Sequence, residues 1–360
     1  VRSRRQRQMC IRDRSTVSLV VNKTGYVSDD MRARVKAAMK ELNYVPNELA
    51  RNLYKNRTNL VGVIVPTIRH PFFATLTAHL QRELAAQGLR TMLCSTADAE
   101  NGEVEYVDML RRHMMDGIIV CSHTTHPNDY WTSIHRPIVA FDRVLGGGIA
   151  SIGSDHEQGG RLMAHMLVNT GAHHVVMIGG PRDQFFDLAA RNGDSPDDFD
   201  LHKTTFPAVR YYLTLEQELK AAGVRYEYVE AGNVEDFQGY KNAVNAVLNS
   251  MPVDGVDAVV SSDIGAALCV REAMRRHISI PRDLQIIAYD GTYLTDLAGM
   301  KMTAVAQNFD KIAQVAVGNI VRAIAKEGDA KADTTSATGR KPYEPDVLIP
   351  VTRKLGDTTR

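Results

Sequence analysis

Residues 59–96 read NLVGVIVPTIRHPFFATLTAHLQRELAAQGLRTMLCST, and the architecture of the chain follows from this stretch. NLVGVIVP is a short β-branched apolar run that halts at Pro66, the pattern of a strand buried on both faces. FFATLTAHLQRELAAQG follows, with Phe73, Leu76, Leu80 and Leu84 at helical spacing and Gly88 placed to end the helix. LRTMLCST is the next strand. A strand, a helix and a second strand in close succession imply parallel pairing, with the helix covering one face of the sheet.

The alternation continues outward from there. A helix around Glu103–Met115 precedes the strands GIIVCS, PIVAFD and IASIGSD, and the helix HEQGGRLMAHMLVNTG ends at Gly171. The cycle then restarts with HHVVMIGG, a helix at Thr214–Ala222, VRYEYVEAG, a helix at Phe237–Asn249, DAVVSSD, a helix at Ile264–Arg276 and LQIIAYDG. So many βα units exceed one sheet, so the expected class is α/β with two doubly wound parallel sheets. Open sheets of this kind bind ligands beyond the carboxyl ends of their strands. The loops at Pro66–Phe73, Phe141–Gly148, Gly179–Arg191, Ser261–Asp263 and Tyr289–Thr292 should therefore face one cleft. Residues 182–206 read as a polar, acidic insertion, and 327–346 as a loop before a last strand, DVLIPV.

Composition narrows the class. The chain has 360 residues, 44% hydrophobic and 24% charged, with no apolar run near membrane-span length. The basic start lacks a following apolar segment, so no secretory signal is read and a cytoplasmic location is expected. Four isolated cysteines show no metal or redox spacing. The net charge of +1 hides an asymmetry: residues 1–57 hold 14 Lys/Arg against 5 Asp/Glu, and the remainder 29 against 37. A basic head on an acidic body fits a nucleic-acid-binding module joined to a ligand-binding domain, and also fits a solvated basic tail.

The head reads STVSLVVNKTGYVSDDMRARVKAAMKELNYVPNELARNLYKNR from Ser15 to Arg57. STVSLVVN is a short helix with hydroxyls on one side. SDDMRARVKAAMKELN opens on Ser28 as N-cap and carries an apolar stripe through Met31, Val35, Ala38, Met39 and Leu42. VPNELARNL allows a third short helix. With the later HPFF, DGIIV, FDR, SD…GG, SSD…A and IAYDGT, this ordered series resembles the LacI/GalR family of bacterial transcription repressors over about residues 15–353.

The resemblance implies a small all-α DNA-binding head and a two-lobed, periplasmic-binding-protein-like body. The head is 15–44 (a partial helix-turn-helix), followed by a hinge helix and linker at 45–59. One effector-binding subdomain is 60–155 with 292–326, the other is 156–291 with 327–353, and 354–360 is a tail. Ser15, Thr16, Ser18 and Leu19 would lie on the recognition helix in the major groove, with Asn22 at its end near the backbone. Asn47, Ala50 and Leu53 would lie on the hinge helix, with Leu53 as a minor-groove wedge. Taken singly, Thr16 and Ser18 also suit capping, and Leu53 suits core packing. IRDR at 11–14 runs straight into Ser15, about nine residues short of the family's first helix, and 1–14 reads as a basic segment foreign to the family. The chain as written is thus expected to bind operator poorly.

For the effector, the resemblance implies a sugar held between the lobes. Phe73 would offer a stacking face, and Asp142, Arg143, Arg191, Asp263, Asp290 and Gln307 polar contacts. Asp263 could equally cap the helix after it, and Ser262 stands where many relatives carry Asn. The implied partners are a pseudo-palindromic operator DNA, a small sugar effector and a second copy of the chain in a homodimer, with no membrane, metal or cofactor. The dimer surface should include the helix from Phe73 and the one around Tyr106–Met115. The tail RKLGDTTR has no leucine heptads for a coiled coil. An enzyme is the rival class, but Walker, HExxH and GxSxG signatures are missing from the sequence, and HTTH at 123–126 has no third metal ligand at sensible spacing. A sugar-sensing module without competent DNA binding is the remaining alternative.

Overall fold

A computed structural model of the chain describes residues 16–21, 25–44, 57–97, 101–124, 126–185, 204, 206–233, 236–328 and 345–360. They belong to two compact units, Val1–Thr58 and Asn59–Arg360. In the first, helix α1 covers 16–21 and α2 covers Asp29–Glu41. Ser28 Oγ accepts the Met31 N–H at 3.4 Å, Asp29 and Asp30 fill the first turn and Lys40 the last, as the helix dipole favours. Val20, Val27 and Val35 are buried, with Leu19, Met31 and Met39 packed on them. Gly25 turns the chain at φ +71°, and a Cβ there would lie 3.2 Å from Leu19 Cδ2.

The second unit holds two six-stranded sheets. The first sheet is built from β1 (Leu60–Val65), β2 (Arg90–Ser95), β3 (Gly117–Val120), β4 (Ile138–Phe141), β5 (Ala150–Ser154) and β11 (Val347–Ile349). The second contains β6 (His174–Gly179), β7 (Arg225–Glu230), β8 (Ala258–Ser262), β9 (Gln285–Asp290), β10 (Thr303–Ala306) and β12 (Thr352–Lys354). Their orders are 2-1-3-4-5-11 and 7-6-8-9-10-12, the same topology twice, with β12 the single antiparallel strand among the described residues. Each order reverses beside its first strand, and this switch point opens a crevice at the carboxyl ends.

Helices cover both faces of both sheets. On the first, α3 (Pro71–Ala86) and α11 (Phe309–Gly328) share a core with alternate residues of β1, through Leu76, Leu80, Leu84 and Ile320. The opposite face holds α4 (Glu103–Arg111) and α5 (Asn128–Thr132), with Val107, Leu110 and Trp131 against Ile64. On the second sheet, α6 (His156–Asn169) and α7 (Val209–Ala221) pack on one side, and α8 (Phe237–Asp254), α9 (Asp263–Arg275) and the short α10 (Leu294–Leu297) on the other. Fully burying one such leucine stabilises by roughly 1.5–3 kcal/mol.

The chain passes between the lobes three times: from β5 to α6, from β10 to α11, and from β11 to β12. This corrects two expected boundaries. Residues 303–306 fall in the second lobe because β10 pairs with β9, and 347–349 fall in the first because β11 pairs with β5. The intervening α11 packs on the first sheet. Helix α7 also starts five residues ahead of the expected Thr214, so that Arg210–Leu213 are buried within it.

Candidate functional site

At the carboxyl ends of β4, β5, β9 and β10 the described residues form one polar network across the lobe crossings. Asp142 follows β4 in the left-handed region, at φ +48°, and Asp290 ends β9 at φ +120°. Non-glycine residues held at such angles mark positions that the surrounding structure enforces. Asp142 Oδ1 accepts the Ser154 N–H at 3.1 Å, while Oδ2 lies 3.0 Å from His156 Nε2. Asp290 Oδ1 accepts from Gln307 Nε2 at 2.8 Å, and Gln307 Oε1 accepts from Ser154 Oγ at 2.6 Å. Residues of both lobes are thereby brought to one place. The crossing strands are also tied together, since Asp155 N–H donates to Ile349 O and Val351 N–H to Gln158 Oε1.

Burial governs the electrostatics. It holds the Asp290 carboxyl well above the usual carboxylate range, with the neighbouring Asp263 acting in the same direction. Asp263 is pushed up to about 6, chiefly by burial, against the donors that surround it. A folded acid with a raised pKa keeps a proton that the unfolded chain releases, so stability is lost as pH rises from the unfolded value through the folded one. The unfolding free energy should therefore fall between about pH 4 and pH 7 relative to an Asp290→Asn variant, as measured by urea denaturation at both pH values. An equal change in both proteins would refute this.

Tyrosines line the second lobe behind the network. Tyr289 and Tyr211 stack at 3.8 Å and 11°, Tyr212 is edge-on to Tyr211, and Tyr228 donates to Gly180 O at 2.6 Å. Burial raises all four phenols, which stay protonated. Toward the outer end of the cleft lies a cavity of about 340 Å³, lined by His123, His126 and Arg143 of the first lobe and by Thr204 and Pro207 of the second. Phe206 crosses the gap there. Its ring stacks on His123 at 3.9 Å and lies 5.7 Å from the Arg143 guanidinium. Arg69 over the Phe237 ring, at 5.2 Å, makes a second contact between lobes. Glu103 is buried beside the cavity, held by Thr124 Oγ1 and raised in pKa by burial.

The sequence-based candidates separate on this geometry. Asp142, Asp290 and Gln307 converge at the lobe crossing, and Arg143 stands at the outer cavity, its Nε donating to Ser122 O. Two expectations need correction. The Asp263 carboxylate is fully buried and taken up by Gly291 N–H, Thr292 N–H and Thr292 Oγ1, so it holds the loop after β9 instead of facing a ligand. Phe73 packs edge-on to Phe72 and His70 inside the first-lobe core, so its ring offers no free stacking face. Arg191 lies outside the described residues, as do Ser15, Asn22, Asn47, Ala50 and Leu53 of the head. Within the head, Ser18 is exposed and Thr16 half-buried, while Leu19 packs partly on the small core. Sequence reasoning missed His156, Tyr211, Tyr289, Ser154 and Phe206. Tyr289 beside Asp290 and the histidine opening α6 were the only signals present. Among the described residues no three metal-ligating side chains converge, and no helix is long and apolar enough to cross a membrane.

Comparison with known proteins agrees with this layout. Residues 14–47 match the profile of bacterial regulatory proteins of the lacI family. Residues 58–193 match periplasmic binding proteins and the sugar-binding domain of the LacI family, and 164–341 a periplasmic-binding-protein-like domain. The chain is 32% identical over 310 residues to the sucrose operon repressor of Streptococcus mutans, covering 86% of this chain and 88% of that protein. It is 32% identical over 276 residues to the ribose operon repressor of Bacillus subtilis, covering 77% of each. In structure it is similar to the lac repressor dimer bound to operator and the anti-inducer ONPF, with a TM-score of 0.72 and 20% identity, covering 96% of this chain and 94% of that one. A periplasmic binding protein/LacI transcriptional regulator from Alkaliphilus metalliredigens, complexed with D-xylulofuranose, gives a TM-score of 0.65 at 22% identity, covering 84% and 100%.

Proposed function

We infer that this chain, which belongs to the LacI family of bacterial regulatory proteins, represses a carbohydrate-utilisation operon under the control of a sugar bound between its lobes. The observation that carries the reading is the meeting of Asp142, Asp290 and Gln307 at the crossing between two lobes. Carboxylates and a planar amide are the groups that hold several sugar hydroxyls at once. The sugar acts allosterically: it changes operator affinity only by as much as it prefers one lobe arrangement over another, commonly 1–3 kcal/mol. The relatives' names make sucrose and ribose the first effectors to try. We read the protein as a binding switch without a catalytic step, working in the cytoplasm as a homodimer whose face includes α3 and α4, with Thr16 and Ser18 on the DNA side.

Thermal unfolding against a panel of mono- and disaccharides tests the sugar. A cognate sugar at about 100 times its Kd adds roughly 2.7 kcal/mol, a shift of several degrees. A cooperative melt that no sugar moves would count against the reading. Operator binding is tested by salt titration on palindromic and scrambled DNA. A steep salt slope with selectivity for the palindrome is expected of a competent head. Weak, unselective binding beside intact sugar binding would favour a sensor without operator recognition.

A further inference from the structure

The geometry points to His156 as a positioning residue that fixes the angle between the two lobes. His156 opens α6, immediately after the first crossing of the chain. Its Nε2 lies 3.0 Å from Asp142 Oδ2, at the end of a first-lobe strand, and its Nδ1 lies 2.7 Å from the Tyr289 hydroxyl, on a second-lobe strand. Both ring nitrogens are thus used, one toward each lobe. One neutral tautomer satisfies both contacts, with Nδ1 accepting from the Tyr289 phenol and Nε2–H donating to the Asp142 carboxylate.

The surroundings are shaped for this bridge. A Cβ on Gly159, one turn along α6, would lie 2.9 Å from the Tyr289 hydroxyl and 2.7 Å from its ring, so only glycine admits the phenol there. Asp142 is held in place from its other oxygen by the Ser154 N–H. The Tyr289 ring stacks on Tyr211, in the helix that follows Phe206 at the outer cavity. Asp142 and Tyr289 ride on different sheets, so a change in the angle between the lobes alters the distance between them, and a histidine bonded to both restrains that angle. The bridge therefore holds one lobe angle and weakens in others. The consequence for operator release rests on the repressor reading above; the bridge itself does not.

The test uses the full chain with His156→Ala, Tyr289→Phe and the double variant. Tyr289→Phe removes a single oxygen and keeps the stack on Tyr211, so it covers the case in which His156→Ala does not fold. Small-angle scattering of the ligand-free proteins should show a wider lobe separation in each single variant. The double variant should open no further than His156→Ala, since both break one bridge. Calorimetric titration with sucrose and with D-ribose should give about tenfold weaker binding in Tyr289→Phe for whichever sugar binds, because a smaller fraction of the chain holds the bridged lobe angle that places Asp142 and Asp290 together. Unchanged scattering overturns the proposal even where the melting temperature falls, and so do additive effects in the double variant. If neither sugar binds the parent chain, the choice of effector fails by itself, and the scattering comparison still decides the bridge.

Discussion

Asp290→Asn is expected to leave the chain folded, to raise its melting temperature at pH 8, and to remove its response to sugar. The side-chain Oδ1 of asparagine can still accept from Gln307 Nε2, so the crossing network keeps its link to Ser154. At pH 8 the unfolded parent carries an ionised Asp290, whereas the native site strongly disfavours that charge. The variant is spared this penalty. Binding suffers because the second carboxyl oxygen, which can accept as well as donate, becomes an NH2 that only donates. Orphaning a buried sugar hydroxyl costs about 1–3 kcal/mol, up to the order of 100-fold in affinity. At a sugar concentration giving the parent about 2.7 kcal/mol, the variant would gain only about 0.4 kcal/mol. Paired melts with and without sugar read both effects. A variant that shifts as far as the parent would remove Asp290 from the binding site.

Asp263→Ala should produce the larger loss of stability, about 3–5 kcal/mol. Three donors, the Gly291 and Thr292 N–H groups and the Thr292 hydroxyl, converge on this one buried carboxylate. Orphaning a buried donor costs about 1–3 kcal/mol, and the three share one acceptor, so the losses do not add fully. Gly291, at φ +73°, packs so closely on Ala306 that a Cβ there would meet Ala306 Cβ at 2.3 Å, so the loop has little room to move toward that residue. The loop that presents Asp290 would loosen, and sugar binding would fall with it. Asp263→Asn should be intermediate, since its amide keeps an oxygen but turns an N–H toward the donors. Urea midpoints for the three proteins settle this, and a loss under about 1 kcal/mol in the alanine variant would contradict the account.

The layered architecture is legible from Leu60 onward because strands buried on both faces are written as continuous apolar runs, such as VGVIV, with helices between them. Sheet membership of the short strands TAVA and VLI is not legible. Three or four residues carry no periodicity, and their partners lie far off in the chain, as with Val347 opposite Ile152. The site divides in the same manner. Asp142, Asp290 and Gln307 stand at strand ends, where topology alone directs them to the cleft. Asp263 also ends a strand, but its direction is set by the backbone donors of a loop that only the folded chain brings near. Phe73 is drawn inward by Phe72 and His70, a choice that helical spacing leaves open. His156 gains its meaning only when two sheets face each other across it.

The threefold passage of the chain between lobes bears on how the protein is made. The first sheet needs β11, and its covering helix α11 begins at Phe309, so neither is available until more than 300 residues have been made. The second sheet closes on β12, which begins three residues after β11 ends. Neither lobe can finish folding during synthesis before the other, and strands β1–β5 must wait, with their apolar faces incompletely covered, for a segment more than 150 residues downstream. Such long sequence separation slows folding and exposes nascent chains to aggregation. Premature stops between residues 155 and 345 should therefore yield insoluble product instead of one intact lobe.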